Sequence, residues 1–170
     1  TLSVQSLEAA RELFRVTKTD ERSKSSKVHA AVELFLTTGD KEYKDYLLAE
    51  TDYITRNIGR VGWYLGRAEK KMNDKKFTKV VKDALIGFRS ELEKQGAETP
   101  YGIPYRPHIW GAGWDIQSFG SRHYFLHTAY PELFGSEFIY NALNFILGCH
   151  PGLNTYSFAS GVGARSAPVG

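Results

Sequence analysis

AAVELFLTTGDKEYKDYLL, Ala30 to Leu48, is the stretch that decides the fold class. With Val28 just ahead of it, Ala31, Val32, Phe35 and Leu36 recur at the three- and four-residue spacing that lines one face of a helix. Gly39 interrupts the stripe and suits the position just past a helix end, where a left-handed residue closes the last turn. Asp40 is placed to cap a following helix through its carboxylate. Tyr43, Tyr46, Leu47, Tyr53 and Ile54 then resume the period. A helix, a Thr-Gly-Asp turn and a second helix make an αα-hairpin.

The same texture extends in both directions. Upstream, SLEAARELFRV sets Leu7, Ala10, Leu13 and Phe14 at helical spacing. Downstream, a second hairpin turns at Met72-Asn73-Asp74. Its second helix carries Phe77, Val80, Val81, Ala84, Leu85 and Phe88, and Gly96 is expected to end it. Helices resume from Gly113 to Pro131, break at Pro131–Gly135 and return in SEFIYNALNFILG. That last helix holds Phe138, Ile139, Ala142, Leu143, Phe145, Ile146 and Leu147, so burial is expected round most of its circumference, with Gly148 as the stop. No strand pattern competes. The chain reads as all-α, built from helical hairpins, which suits a bundle, a solenoid or a closed toroid.

Composition narrows the function classes. The 170 residues are 42% hydrophobic and 14% aromatic, enough for a core. Lys and Arg number 22 against 19 Asp and Glu, with the signs interspersed, which is a solvated surface and not a nucleic-acid footprint. A single cysteine, Cys149, leaves no internal disulfide framework or multi-cysteine metal site. No apolar run reaches the ~20 residues of a membrane span, and residues 1–30 carry no signal-peptide pattern.

Chemistry-bearing residues gather in two irregular segments. AETPYGIPYRPHIWGA, residues 97–112, crowds prolines with Tyr101, Tyr105, Arg106, His108 and Trp110, and Trp114 follows. Flat aromatic faces with Arg and His are the residue types that line carbohydrate clefts; the same rings also serve to pack a loop onto helices. The second segment, GCHPGLNTYSFASGVGARSAPVG, runs from Gly148 to Gly170. Cys149 beside His150 makes a poor nucleophile–base pair, because adjacent side chains diverge. His123 and His127 share a helix face at i, i+4, but Tyr124 stands where a zinc protease needs Glu, and two packed histidines are the plainer reading. Asp115, Glu98 and Glu132 form no evident acid–base pair, and Asp115 suits the start of a helix, where its charge meets the dipole.

Several of these pieces resemble the later part of the glycoside hydrolase family 9 catalytic domain, an (α/α)6 barrel. The Ala30–Leu48 hairpin is similar to that barrel's recurrent helix-TGD-x-x-Y-helix units. WGAGWDIQSFG resembles a Trp-Gly-Ser/Ala segment that opens a late barrel helix, and YNALNFILGCHPGLNTYSFASGVG resembles a helix ending near I-L-G-x-N-P followed by an S-Y/F-V-T-G-F/Y-G loop. The sequence departs from the family at GCHP and lacks its Pro-His-His-Arg run.

The resemblance implies that residues 1–170 are part of an inverting glycosidase domain, incomplete at both ends. They would supply barrel wall and sugar-binding loops, while the catalytic Asp and Glu lie elsewhere. It implies substrate contacts from Trp110, His150 and Tyr156, with Arg165 in the place of a loop arginine; Tyr105, Arg106 and Trp114 join them on loop composition. It implies no cofactor or metal, an oligosaccharide or polysaccharide partner of gluco- or glucosamino- type, contact with the remainder of the same domain, no nucleic acid, and a secreted or periplasmic home. The alternative from another class is a non-catalytic helical-repeat module that binds a protein.

Overall fold

A computed structural model describes residues 2–18, 20, 23–104, 111–151, 153 and 155–166. Among them are eight helices and no strand: α1 (Leu2–Val16), α2 (Lys24–Thr38), α3 (Lys41–Ala49), α4 (Thr51–Arg56), α5 (Ile58–Met72), α6 (Lys75–Ala97), α7 (Ala112–Ala129) and α8 (Glu137–Ile146). The all-α reading holds. No helix among the described residues is long and apolar enough to cross a membrane. The chain divides into two compact units, Thr1–Leu85 and Ile86–Gly170, and the division falls inside α6.

In the first unit α2 is the central element, packed against α1, α3 and α5. Val28, Ala31, Val32, Leu34 and Phe35 of α2 are buried, so the stripe read from the sequence gains Leu34, while Leu36 is half-buried. Gly39 ends α2 with φ 75°, its N–H bonded to the Phe35 carbonyl at 2.8 Å. Asp40 precedes α3 but makes no cap bond; its carboxylate pairs with Arg11 at 2.9 Å and so ties α1 to the hairpin turn. The helix expected to run unbroken after Asp40 is split at Glu50 into α3 and α4. Tyr43, Leu47, Tyr53 and Ile54 of these two helices are buried.

The Asn73–Asp74 turn behaves as its residues require. Asn73 takes φ 48° at the end of α5, and the Asp74 carboxylate accepts the Phe77 N–H at 2.9 Å, a true N-terminal cap for α6. α6 then passes through Gly96 and ends at Ala97, one residue past the expected stop. α1 is the weakest fit to its stripe. Phe14 is buried with its ring edge-on to Tyr43 and Tyr46, Leu7 is half-buried, and Ala10 and Leu13 are exposed.

The second unit is built on the α7–α8 pair. Ile103, Ile116 and Ala142 form its buried cluster, with Tyr101, Phe119, Phe145 and Ile146 packed around them. The turn between the helices buries Tyr130 and Phe134, and Arg89 of α6 donates to the Leu133 carbonyl. α8 departs from expectation. Phe138 and Ala142 are buried, but Tyr140 and Leu143 are exposed and Ile139, Phe145, Ile146 and Leu147 are only half-buried. An almost wholly apolar helix thus covers only part of its circumference in this unit.

Candidate functional site

The terminal segment is a folded element. Past α8 the chain turns back on the helix end: Phe158 N–H donates to the Ile146 carbonyl at 2.9 Å and Ala164 N–H to the Leu147 carbonyl at 2.8 Å. Ser157 N–H closes the loop on itself by donating to the Arg165 carbonyl at 2.8 Å. Gly163 makes this approach possible. It holds φ 94°, and a Cβ there would run into the Leu147 carbonyl oxygen and lie 2.7 Å from Ser157 Cβ. Burial then alternates along residues 156–158: Ser157 is buried at 2% exposure while Tyr156 and Phe158 on either side are exposed.

A ring cluster lies along the end of α8. Phe145 stacks on His150 with centroids 5.5 Å apart and on Phe158 at 5.6 Å, both at 24°. Tyr101 meets Phe145 and His150 edge-on at 5.0 and 4.9 Å. Tyr101 is held there because its segment is tied to α8: Asn141 Nδ2 donates to the Gly102 carbonyl at 3.1 Å, and Thr99 donates to the Ile103 carbonyl at 2.9 Å. In the loop itself the Arg165 guanidinium sits over the Tyr156 ring, 5.2 Å from its centroid.

The residues expected to touch sugar therefore fall into three groups. His150 belongs to the ring cluster, and Tyr156 pairs with Arg165. Trp114, 80% exposed in the first turn of α7, borders a groove of about 680 Å³ between α7 and α8 that Phe158 also lines. Phe158 reaches that corner by lying against Gly113, where a Cβ would stand 3.0 Å from its ring. Tyr105, Arg106, His108 and Trp110 lie outside the described residues. Sequence reasoning missed Phe158 and Ser157. The signal was the alternation in TYSFAS, too short to register as a strand.

The two histidines of α7 are held by backbone carbonyls. Nδ1–H of His123 donates to the Phe119 carbonyl at 2.9 Å, and that of His127 to the Phe134 carbonyl at 2.8 Å, so each imidazole is fixed to a different backbone group. No group of three or more metal-ligating side chains occurs among the described residues. Cys149 is exposed with Sγ 3.7 Å from the Leu147 carbonyl, while His150 is engaged with Phe145 and Tyr101. Asp115 lies in the first turn of α7 behind Gly111, which occupies the cap position.

What this arrangement offers chemically is a surface of aromatic faces, a guanidinium and an imidazole on a loop that backbone hydrogen bonds hold against the end of α8. Exposed aromatic faces can stack on flat apolar rings, and a guanidinium can donate hydrogen bonds. No family model, curated protein or solved structure matches this chain.

Proposed function

We propose that this chain is part of the catalytic domain of an inverting glycoside hydrolase of the family 9 type, a six-hairpin α-toroid, acting on β-linked gluco- or glucosamino-oligosaccharides. The observation that carries the reading is the terminal loop. It is folded back on α8 by Phe158 and Ala164, it stacks Phe158 on Phe145 of the Tyr101–Phe145–His150 rings, and it exposes Tyr156 with Arg165 over its ring. A helical connector has no need of such a surface. In this reading the residues present bind and orient sugar and assign no proton donor or water-activating carboxylate. An inverting reaction sets its two carboxyl groups roughly 6.5–9.5 Å apart to admit water, and Asp115 and Glu98 are given neither role. A secreted or periplasmic location follows from the same reading.

The test is a titration of the chain with cellopentaose and chitopentaose, followed by calorimetry and by backbone NMR. Saturable shifts at Tyr101, His150, Tyr156 and Arg165 are expected with one of the two. Shifts with neither sink the reading.

A second reading has one observation in its favour. The groove between α7 and α8, with Trp114, Tyr124, Phe125 and Leu143 exposed or partly exposed along it, is a surface that a helical-repeat module offers to a protein partner. Binding of neither sugar shifts weight to it.

A further inference from the structure

Ser157 is the hub of the terminal loop. Its hydroxyl donates to the Ala159 carbonyl at 2.9 Å and accepts from the Ala159 N–H at 3.0 Å, with the Ile146 carbonyl 3.4 Å away. Gly163 roofs it so closely that a Cβ there would stand 2.9 Å from the Ser157 oxygen. Its backbone N–H holds the Arg165 carbonyl, and this rung sets Tyr156 and Arg165, the adjoining residues, within stacking reach. Both displayed side chains are exposed, so neither is packed in place by a core. Their mutual geometry is inherited from the residue between them.

We propose that Ser157 is a positioning residue: it locks the loop so that Tyr156 and Arg165 form one preassembled recognition surface for a pyranose ring. The inference rests on the oligosaccharide reading above and names the part of the site that fixes it. Tyr156 supplies a flat apolar face and Arg165 supplies donors to ring hydroxyls. Holding the two together in the free protein removes the ordering cost that two loose surface side chains incur on binding. The burial of Ser157 matters because its hydroxyl satisfies the Ala159 amide inside the loop; without it that amide is left without its partner.

The experiment compares the unaltered chain with Ser157→Ala, and uses two readouts. The first needs no ligand: the ring-current shift that Tyr156 imposes on the Arg165 side-chain resonances, and hydrogen exchange at the Phe158 and Ala164 amides. In Ser157→Ala the shift is expected to collapse and exchange at both amides to accelerate, while amides of α2 and α5 are unchanged. The second is affinity for cellopentaose and chitopentaose, expected to fall about tenfold, the scale of one lost buried hydrogen bond.

A Ser157→Ala chain that keeps the Arg165 shift, or binds sugar as before, overturns the positioning role and leaves the oligosaccharide reading standing. An unaltered chain that binds neither pentasaccharide removes the pyranose ligand and the reading together. Should Ser157→Ala fail to fold, Tyr156→Leu, Arg165→Gln and their double variant take its place, since both side chains are exposed. One surface requires the effect of Arg165→Gln on affinity to vanish in the Tyr156→Leu background; additive effects overturn it.

Discussion

The His123 ring lies 3.9 Å from the Phe119 ring, centroid to centroid, while its Nδ1–H donates to the Phe119 carbonyl one turn back on α7. Phe134 and Phe138 close the other sides, and Nε2 is buried without a hydrogen-bond partner among the described residues. The site therefore holds a neutral imidazole in an aromatic box. Burial pushes its pKa down to about 4, against a weaker opposing pull from the Phe119 carbonyl.

Acid should loosen the second unit through this residue. The unfolded imidazole takes a proton near pH 6.5 and the folded one only near 4, so between them the unfolded state binds more protons. The contribution is whole above pH 6.5 and is lost as pH falls to about 4, on the order of 3 kcal/mol in total. Urea midpoints at pH 7.5 and 4.5 measure it. His123→Phe, which fits an aromatic box, is expected to remove most of the difference between those pH values and to be no less stable at pH 7.5. An unchanged pH dependence in His123→Phe assigns the acid sensitivity to other groups.

The two hairpin turns make a matched comparison. Asp74→Ala deletes a carboxylate that accepts the Phe77 N–H, and is expected to cost about 1 kcal/mol. Asp40→Ala deletes a carboxylate of equal sequence promise that instead meets half-exposed Arg11, and should cost less than about 0.5 kcal/mol. Thermal or urea unfolding of both variants decides it; a larger loss at Asp40 contradicts the assignment.

The pair also shows what the sequence made legible. Both aspartates follow a helix-ending residue in a turn and precede a helix, so the pattern at each is the same. Arg11, 29 residues upstream in sequence, captures one of them, and a competitor at that separation leaves no local trace. The same limit explains α8. Its composition predicts burial on most sides, and composition is a demand rather than a location; Phe138 and Ala142 are buried against α7 while Leu143 stays exposed at the groove. Periodicity placed α2, α3 and α6, because 3.6-residue spacing is local. The aromatic candidates were readable as residue types. Their grouping was not, since the Tyr101–Phe145–His150 cluster joins three separate segments, and the Tyr156–Arg165 pair depends on a single backbone rung.

Two helical leucines should divide sharply by environment. Leu65 of α5 is 1% exposed, and Leu65→Ala is expected to cost about 2–5 kcal/mol, the transfer loss plus the cavity it leaves. Leu13 lies on the predicted α1 stripe yet is 63% exposed, so Leu13→Ala should stay within about 0.5 kcal/mol. Chemical denaturation reads both. A loss at Leu13 comparable to that at Leu65 shows that α1 buries its stripe in solution.

Two glycines two residues apart separate conformational strain from steric exclusion. Gly161 holds φ 78° with open space where a Cβ would stand, so Gly161→Ala meets only the left-handed penalty, about 1–2 kcal/mol. Gly163 holds φ 94°, and there a Cβ also meets the Leu147 carbonyl oxygen and Ser157. Neither neighbour can yield easily: the Leu147 carbonyl accepts the Ala164 N–H, and Ser157 is bonded on three sides. Gly163→Ala is therefore expected to open the loop, and not merely to strain it. The Phe158 and Ala164 amides should lose their protection in Gly163→Ala and retain most of it in Gly161→Ala, with α2 and α5 unaffected in both. Proteolytic cleavage between residues 155 and 166 should follow the same order. Equal exchange in the two variants means that the loop does not close on α8 through Gly163, and the surface formed by Tyr156 and Arg165 then loses the backbone that holds it.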